Sequence, residues 1–283
     1  EYQTQNGSGN YDETHFGVMS GGQINKGNYV VALSYFDRAA MEAGDRNWAD
    51  GTALSSLANP GGFSTSGGFV ADPACGTNDT FERFGGLFCG MDITPFFDLV
   101  PEEERLNFAG NMSLELSEKT SMYAEFGYAN NEGLTRATPS YPILRQFPVA
   151  AADDPDNPFG ENATFFGRVL GPEGNPTTMP YEYSTTRLSF ELEHEMNNGW
   201  IMDSAISYSN NEADVGNGDT VISRLQAALN GNGGPGGDER YSLFGVSSTK
   251  HSKSLLDYIL QPSMQKGDSS LLSGEVIISG NMG

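Results

Sequence analysis

The sequence predicts an all-β fold, part of an antiparallel transmembrane β-barrel of about six to seven strands with long extracellular loops. Apolar residues recur with period two in three pairs of segments, and each pair is joined by a short polar turn. The pairs are separated by connections several times longer than the median of about 4–6 residues.

The first hairpin spans residues 14–40 or so and turns at Asn25-Lys26-Gly27-Asn28, with Val31, Leu33 and Tyr35 alternating against Ala32 and Ser34. Its register is the least regular of the three. The second covers residues 104–131: Leu106, Phe108, Met112, Leu114 and Leu116 share one side, and Asn107, Ala109, Asn111, Ser113, Glu115 and Ser117 the other. After the turn Glu118-Lys119-Thr120 the pattern resumes with Met122, Ala124, Phe126 and Tyr128. The third, residues 183–212, alternates Leu188, Phe190, Leu192 and Met196 against Ser189, Glu191, Glu193 and Glu195. It turns at Asn197-Asn198-Gly199 and returns through Trp200, Met202, Ile206 and Tyr208. A last run within residues 269–283, from Leu271 to Met282, reads as the start of a further strand. Because the first residue is Glu1 and that run breaks off at Gly283, the sequence is expected to be a piece of a longer chain.

Residues 41–103, 132–182 and 213–268 are the long loops, rich in Gly, Pro, Asn and Asp. A compact soluble domain seldom needs three of them. Membrane barrels place short turns at one end and long loops at the other. A soluble sandwich remains an alternative, since its sheets are also apolar on one side. The barrel is favoured by Glu115, Glu125, Glu191, Glu193 and Glu195 on the second face, as a watery lumen permits, and by Tyr128, Trp200 and Tyr208 as interfacial aromatics.

The formal charge of −22, from 15 Lys+Arg and 37 Asp+Glu, disfavours nucleic acid as a partner. No run of about 18 apolar residues is present, so a membrane helix is excluded, whereas a spanning strand needs only about ten residues.

Chemistry-bearing residues are sparse. Cys75 and Cys89 lie close in sequence in a Gly-, Pro- and Asp-rich stretch and suit a disulfide formed in an oxidising compartment, with two free thiols as the alternative. His15, His194 and His251 are far apart, and His194-Glu195 lacks a second histidine four residues on. No Gly-x-Ser-x-Gly elbow occurs, and Gly231-Asn232-Gly233-Gly234-Pro235-Gly236-Gly237 lacks the Lys-Ser/Thr of a phosphate loop, which leaves it a flexible loop. Asp153-Asp154-Pro155-Asp156-Asn157 offers oxygen ligands for Ca²⁺, but without EF-hand spacing it reads as solvated loop charge. No catalytic residue, cofactor or metal is expected.

Several segments taken in order resemble a known family. They are Gly21-Gly22-Gln23 before the first turn, Val100-Pro101-Glu102-Glu103-Glu104-Arg105 entering a strand, and Tyr123-Ala124-Glu125-Phe126-Gly127-Tyr128 in its partner. Asn157-Pro158-Phe159-Gly160, Gly167-Arg168, Arg187, Trp200 with Tyr208, Leu255-Leu256-Asp257 and Ser279-Gly280 complete the set. Together they resemble the TonB-dependent outer-membrane receptors over most of the chain; Tyr241-Ser242-Leu243-Phe244 departs from an Asn-Pro-Phe frequent in that family.

The resemblance implies a barrel of about 22 strands closed by a plug, located in the cell outer membrane. It also implies energised uptake of a scarce metal chelate, vitamin or glycan. The implied partners are outer-membrane lipid, a small-molecule or oligosaccharide substrate, and the TonB complex through a plug expected upstream of Glu1. A passive outer-membrane porin and a surface-binding, adhesive barrel protein are the competing readings. None of these is an enzyme.

Overall fold

The computed structural model describes residues 2–6 and 11–280; of residues 2–6, 218 and 219 the backbone alone is described. Strands hold 55% of the chain and helices 9%, which places it in the all-β class. Eight strands form one antiparallel meander in sequence order: β1 (Tyr2–Asn6), β2 (Asp12–Ile24), β3 (Gly27–Arg38), β4 (Glu102–Ser117), β5 (Thr120–Ala137), β6 (Thr177–Glu195), β7 (Ile201–Thr220) and β8 (Leu260–Ser279). The sheet is open, with β1 and β8 at its edges.

The three expected hairpins are present and pair neighbour to neighbour, with Ile24 opposite Gly27, Ser117 opposite Thr120, and Glu195 opposite Ile201. Asn25 reaches φ 43° and Gly199 φ 78°, in the left-handed region where Asn and Gly are least strained. These three turns share one end of the sheet, and the three long connections share the other.

Three expectations need correction. The strands outrun the apolar alternation at the loop end, so the connections narrow to residues 39–101, 138–176 and 221–259. The backbone ladder is satisfied whether or not a side chain meets lipid or core, so it continues through polar Asn130, Glu132, Ser184 and Glu212. The seventh expected strand begins at Leu260 instead of about 269, and the run expected to reach Met282 ends at Ser279, with 281–283 outside the described residues. An eighth strand, Tyr2–Asn6, pairs with β2 and was not expected.

The third correction concerns the loops, which fold into one packed unit. Segments 62–65 and 68–71 of the first join 149–150 and 163–166 of the second in a four-stranded sheet. The third contributes helices α1 (Ile222–Leu229), α2 (Ser247–Lys250) and α3 (Lys253–Ile259), the last capped by Ser252 Oγ, which accepts the Leu255 N–H. Phe63, Phe165, Val169, Leu225, Tyr241, Leu243, Phe244, Leu255 and Ile259, drawn from all three loops, form the principal buried core of the molecule. The glycine run is ordered as well: Gly233 and Glu239 bridge, and Gly233 and Gly234 are buried, since a turn packed against Ala228 leaves no room for Cβ.

The meander itself has almost no buried core. Phe190 is 43% exposed, Ile206 52% and Leu272 68%.

Candidate functional site

Residues opposite one another in an antiparallel ladder share a face, so the register sorts every side chain of the meander. One face carries an apolar band bounded at the loop end by Phe16, Tyr35, Leu106, Tyr128, Leu188, Tyr208 and Leu272. Towards the short turns it ends at Ile24, Tyr29, Leu114, Met122, Leu192, Met202 and Ile278. No charged residue occurs on this face between those limits. The band is about seven residues deep, roughly 24 Å along a strand.

The band is slanted relative to the ladder. Phe16, Tyr35 and Leu106 lie in one row, but Leu188, Tyr208 and Leu272 are four residues further in than the members of that row, Ser184, Glu212 and Asp268. Four residues over six strand steps, at about 3.4 Å rise and 4.8 Å spacing, is a tilt of about 25° at this edge; at the short-turn edge Met202 and Ile278 lie two residues beyond the Ile24 row, about 13°. Above the band the same face turns acidic, with Asp37, Glu104, Glu132, Glu182 and Asp214 in one row ending at Lys266.

The opposite face is mostly polar or small, although Met19, Val30, Leu271 and Ile277 also lie on it, exposed. Gly17, Ser34, Asn107, Ala129, Thr185 and Asn211 form one row, and Glu191, Ala205 and Glu275 meet in another. Glu115, Glu125, Glu191 and Glu193 lie here, as expected from the alternation, joined by Asp203. Near the loop end, buried Glu103 accepts from Arg38 and Arg105, both at 2.7 Å, while both guanidinium groups lie over Phe36. His194 sits beside the short turns, its Nδ1 2.9 Å from Thr120 Oγ1.

In the loop unit Cys75 and Cys89 are bonded, with Cα atoms 5.7 Å apart. The acidic segment 153–157 is not freely solvated, which corrects the sequence reading. Asp154 pairs with Arg240, and Asp156 pairs with Lys250 at 3.1 Å and Arg240 at 3.5 Å, fastening the second loop to the third. Burial works against the Asp156 carboxylate, but hydrogen bonds from Ser242 and Lys250 prevail and hold its pKa below the ordinary range. Among the described residues no group of three or more His, Cys, Asp or Glu is placed to hold a metal.

Sequence reasoning missed the polar centre of this unit. Asn59 Nδ2 donates to the Arg168 carbonyl at 3.1 Å and to Ser247 Oγ at 2.8 Å, and Asn59 Oδ1 accepts the Ser247 N–H at 2.8 Å. One amide thereby joins all three loops. Asp72 accepts the Ala74 and Gly245 N–H groups, and burial nevertheless raises its pKa. His251 stacks on Tyr241 with ring centroids 4.5 Å apart, its Nε2 accepting the Ser242 N–H at 3.0 Å.

No protein-family model and no curated protein matches the chain.

Proposed function

We propose that the chain is a section of an outer-membrane β-barrel, and that the whole protein is a receptor for energised uptake of a scarce solute. The observation that carries the membrane reading is the slanted, charge-free apolar band on one face of an eight-stranded meander. A lipid-facing band of about 25 Å crossed by tilted strands has this depth and sense of slant, although the slant read from the register is smaller than the 35–45° or so of closed barrels. A soluble sandwich would cover such a face with a second sheet, whereas here it is bare.

Receptor function is supported by the ordered motifs from Gly21-Gly22-Gln23 to Ser279-Gly280 that resemble TonB-dependent receptors. The loop unit adds to this, because packed loops at one mouth suit a gated, ligand-recognising barrel better than an open pore. The acidic polar face would then line the lumen, where Glu and Asp stay hydrated.

Planar-bilayer conductance of the full-length protein, combined with co-precipitation of the TonB periplasmic domain, tests the reading. A receptor gives no steady open conductance and binds TonB. Steady conductance without TonB binding would assign a passive porin instead.

A further inference from the structure

The loop unit's small sheet has two faces with different fates. Phe63, Phe165 and Val70 point into the core, while Phe69, Phe166 and Val149 lie on the outer side. The disulfide-tied hairpin of Thr80–Arg83 and Phe88–Asp92 folds across that outer side, and a Cβ on Gly62 would meet the Phe88 Cα at 3.5 Å. Five phenylalanine rings therefore form a chain. Phe147 lies 4.7 Å from Phe166, Phe166 5.3 Å from Phe69, Phe69 5.0 Å from Phe88, and Phe88 6.2 Å from Phe84. Phe84 remains 64% exposed, and Phe69, Phe147, Leu87 and Val149 are exposed too.

Apolar rings gathered at a surface mark a binding site when nothing in the fold covers them. The charge beside them narrows the ligand. The Arg83 guanidinium lies 5.2 Å from the Phe84 ring and 5.9 Å from the Phe81 ring, and its Nε is buried with no hydrogen-bond partner in the structure. Neither Arg83 nor Arg145, two residues before Phe147, forms an ion pair among the described residues. In a chain of charge −22, the Arg83 guanidinium against the platform rings, with Arg145 two residues along the chain from Phe147, is complementary to an anion with a flat apolar body. Phe84 and Gln146 also hold φ of 54° and 49°, a left-handed conformation uncommon for residues other than glycine and asparagine.

We infer that this patch binds a small aromatic carboxylate, its ring on the phenylalanine platform and its carboxylate on Arg83. A neutral saccharide is disfavoured, because the platform rings carry no hydroxyl or indole donor. The inference concerns binding at the loop unit and holds whether or not the barrel transports.

Equilibrium dialysis of full-length protein in lipid nanodiscs, with 2-naphthoate as the probe and neutral 2-naphthylmethanol as its control, tests the inference. Naphthoate should bind at least about tenfold more tightly than the alcohol. Arg83→Gln should erase that preference while retaining the disulfide and the wild-type melting temperature, and Phe147→Ser should weaken both probes. If Arg83→Gln fails to fold, Arg145→Gln must reduce the preference. Absence of binding by the wild type would show that other segments of the chain or another protein cover the rings, and would overturn the inference. Equal affinity for the two probes, or an unchanged preference in a folded Arg83→Gln, would do so as well.

Discussion

Arg168 is 3% exposed, and its guanidinium donates to the Leu57 carbonyl at 2.6 Å, the Ser140 carbonyl at 2.6 Å, Thr138 Oγ1 at 2.8 Å and Ser55 Oγ at 3.1 Å. Five donors in a fixed fork suit four acceptors from two loops, a geometry the compact ammonium of lysine does not supply. The Leu57 and Ser140 carbonyls and Ser55 Oγ each keep a second donor, so Arg168→Met removes those four hydrogen bonds but strips only Thr138 Oγ1 of its donor; it should destabilise the loop unit by roughly 1–3 kcal/mol, with Arg168→Lys restoring little. Hydrogen exchange at Val169 and Ser247 would register the loss. His251 gives a pH dependence. Burial lowers its pKa, and Lys250 and Arg240 add to this, while the Ser242 backbone and Asp156 oppose it. The folded state therefore favours neutral imidazole, so its stabilisation is complete above the ordinary value of 6.5 and is lost as pH falls from there through the lowered value. Asp72, whose pKa is raised, acts in the other direction at lower pH. Loop-unit melting in wild type should fall on acidification below pH 6.5 more steeply than in His251→Gln; parallel curves would remove His251 as the cause.

Among the elements, hairpins were legible wherever the solvent on the two faces differs. Leu188, Phe190 and Leu192 against Ser189, Glu191 and Glu193 announce a strand because one side is apolar and the other polar. Where both sides are wet the alternation fades, and the extension of β6 back to Thr177 and of β8 back to Leu260 left no periodic signal. The loop unit was illegible for another reason. Its core takes Phe63 and Phe165 from two four-residue strands, Leu225 from one short helix and Ile259 from another, and contacts separated by up to roughly two hundred positions impose no local period. The aromatic patch shares that origin, since Phe84, Phe88, Phe147 and Phe166 become neighbours only after two loops pack. The cysteines were visible because their separation of 14 residues is itself local.

At the scale of the whole molecule, the sheet and the loop unit solve different problems. The loop unit packs a core of its own, tied by Asn59, Arg168 and the Asp154–Arg240 and Asp156–Lys250 pairs, and leaves the phenylalanine patch exposed. The sheet is open, with β1 and β8 as its unpaired edges. It hides almost nothing, and its face with Phe190, Ile206, Leu272 and Val276 exposed is the one the proposed function turns towards lipid. Collision accessibility of spin labels placed singly at residues 187 to 193 of β6, in full-length protein reconstituted into liposomes, tests this most directly. Labels replacing Leu188, Phe190 and Leu192 should be preferentially relaxed by dissolved oxygen, and those replacing Arg187, Ser189, Glu191 and Glu193 by a water-soluble nickel chelate, in strict alternation. Uniform accessibility to the nickel chelate along β6, or oxygen preference on the glutamate side, would contradict the membrane-barrel account.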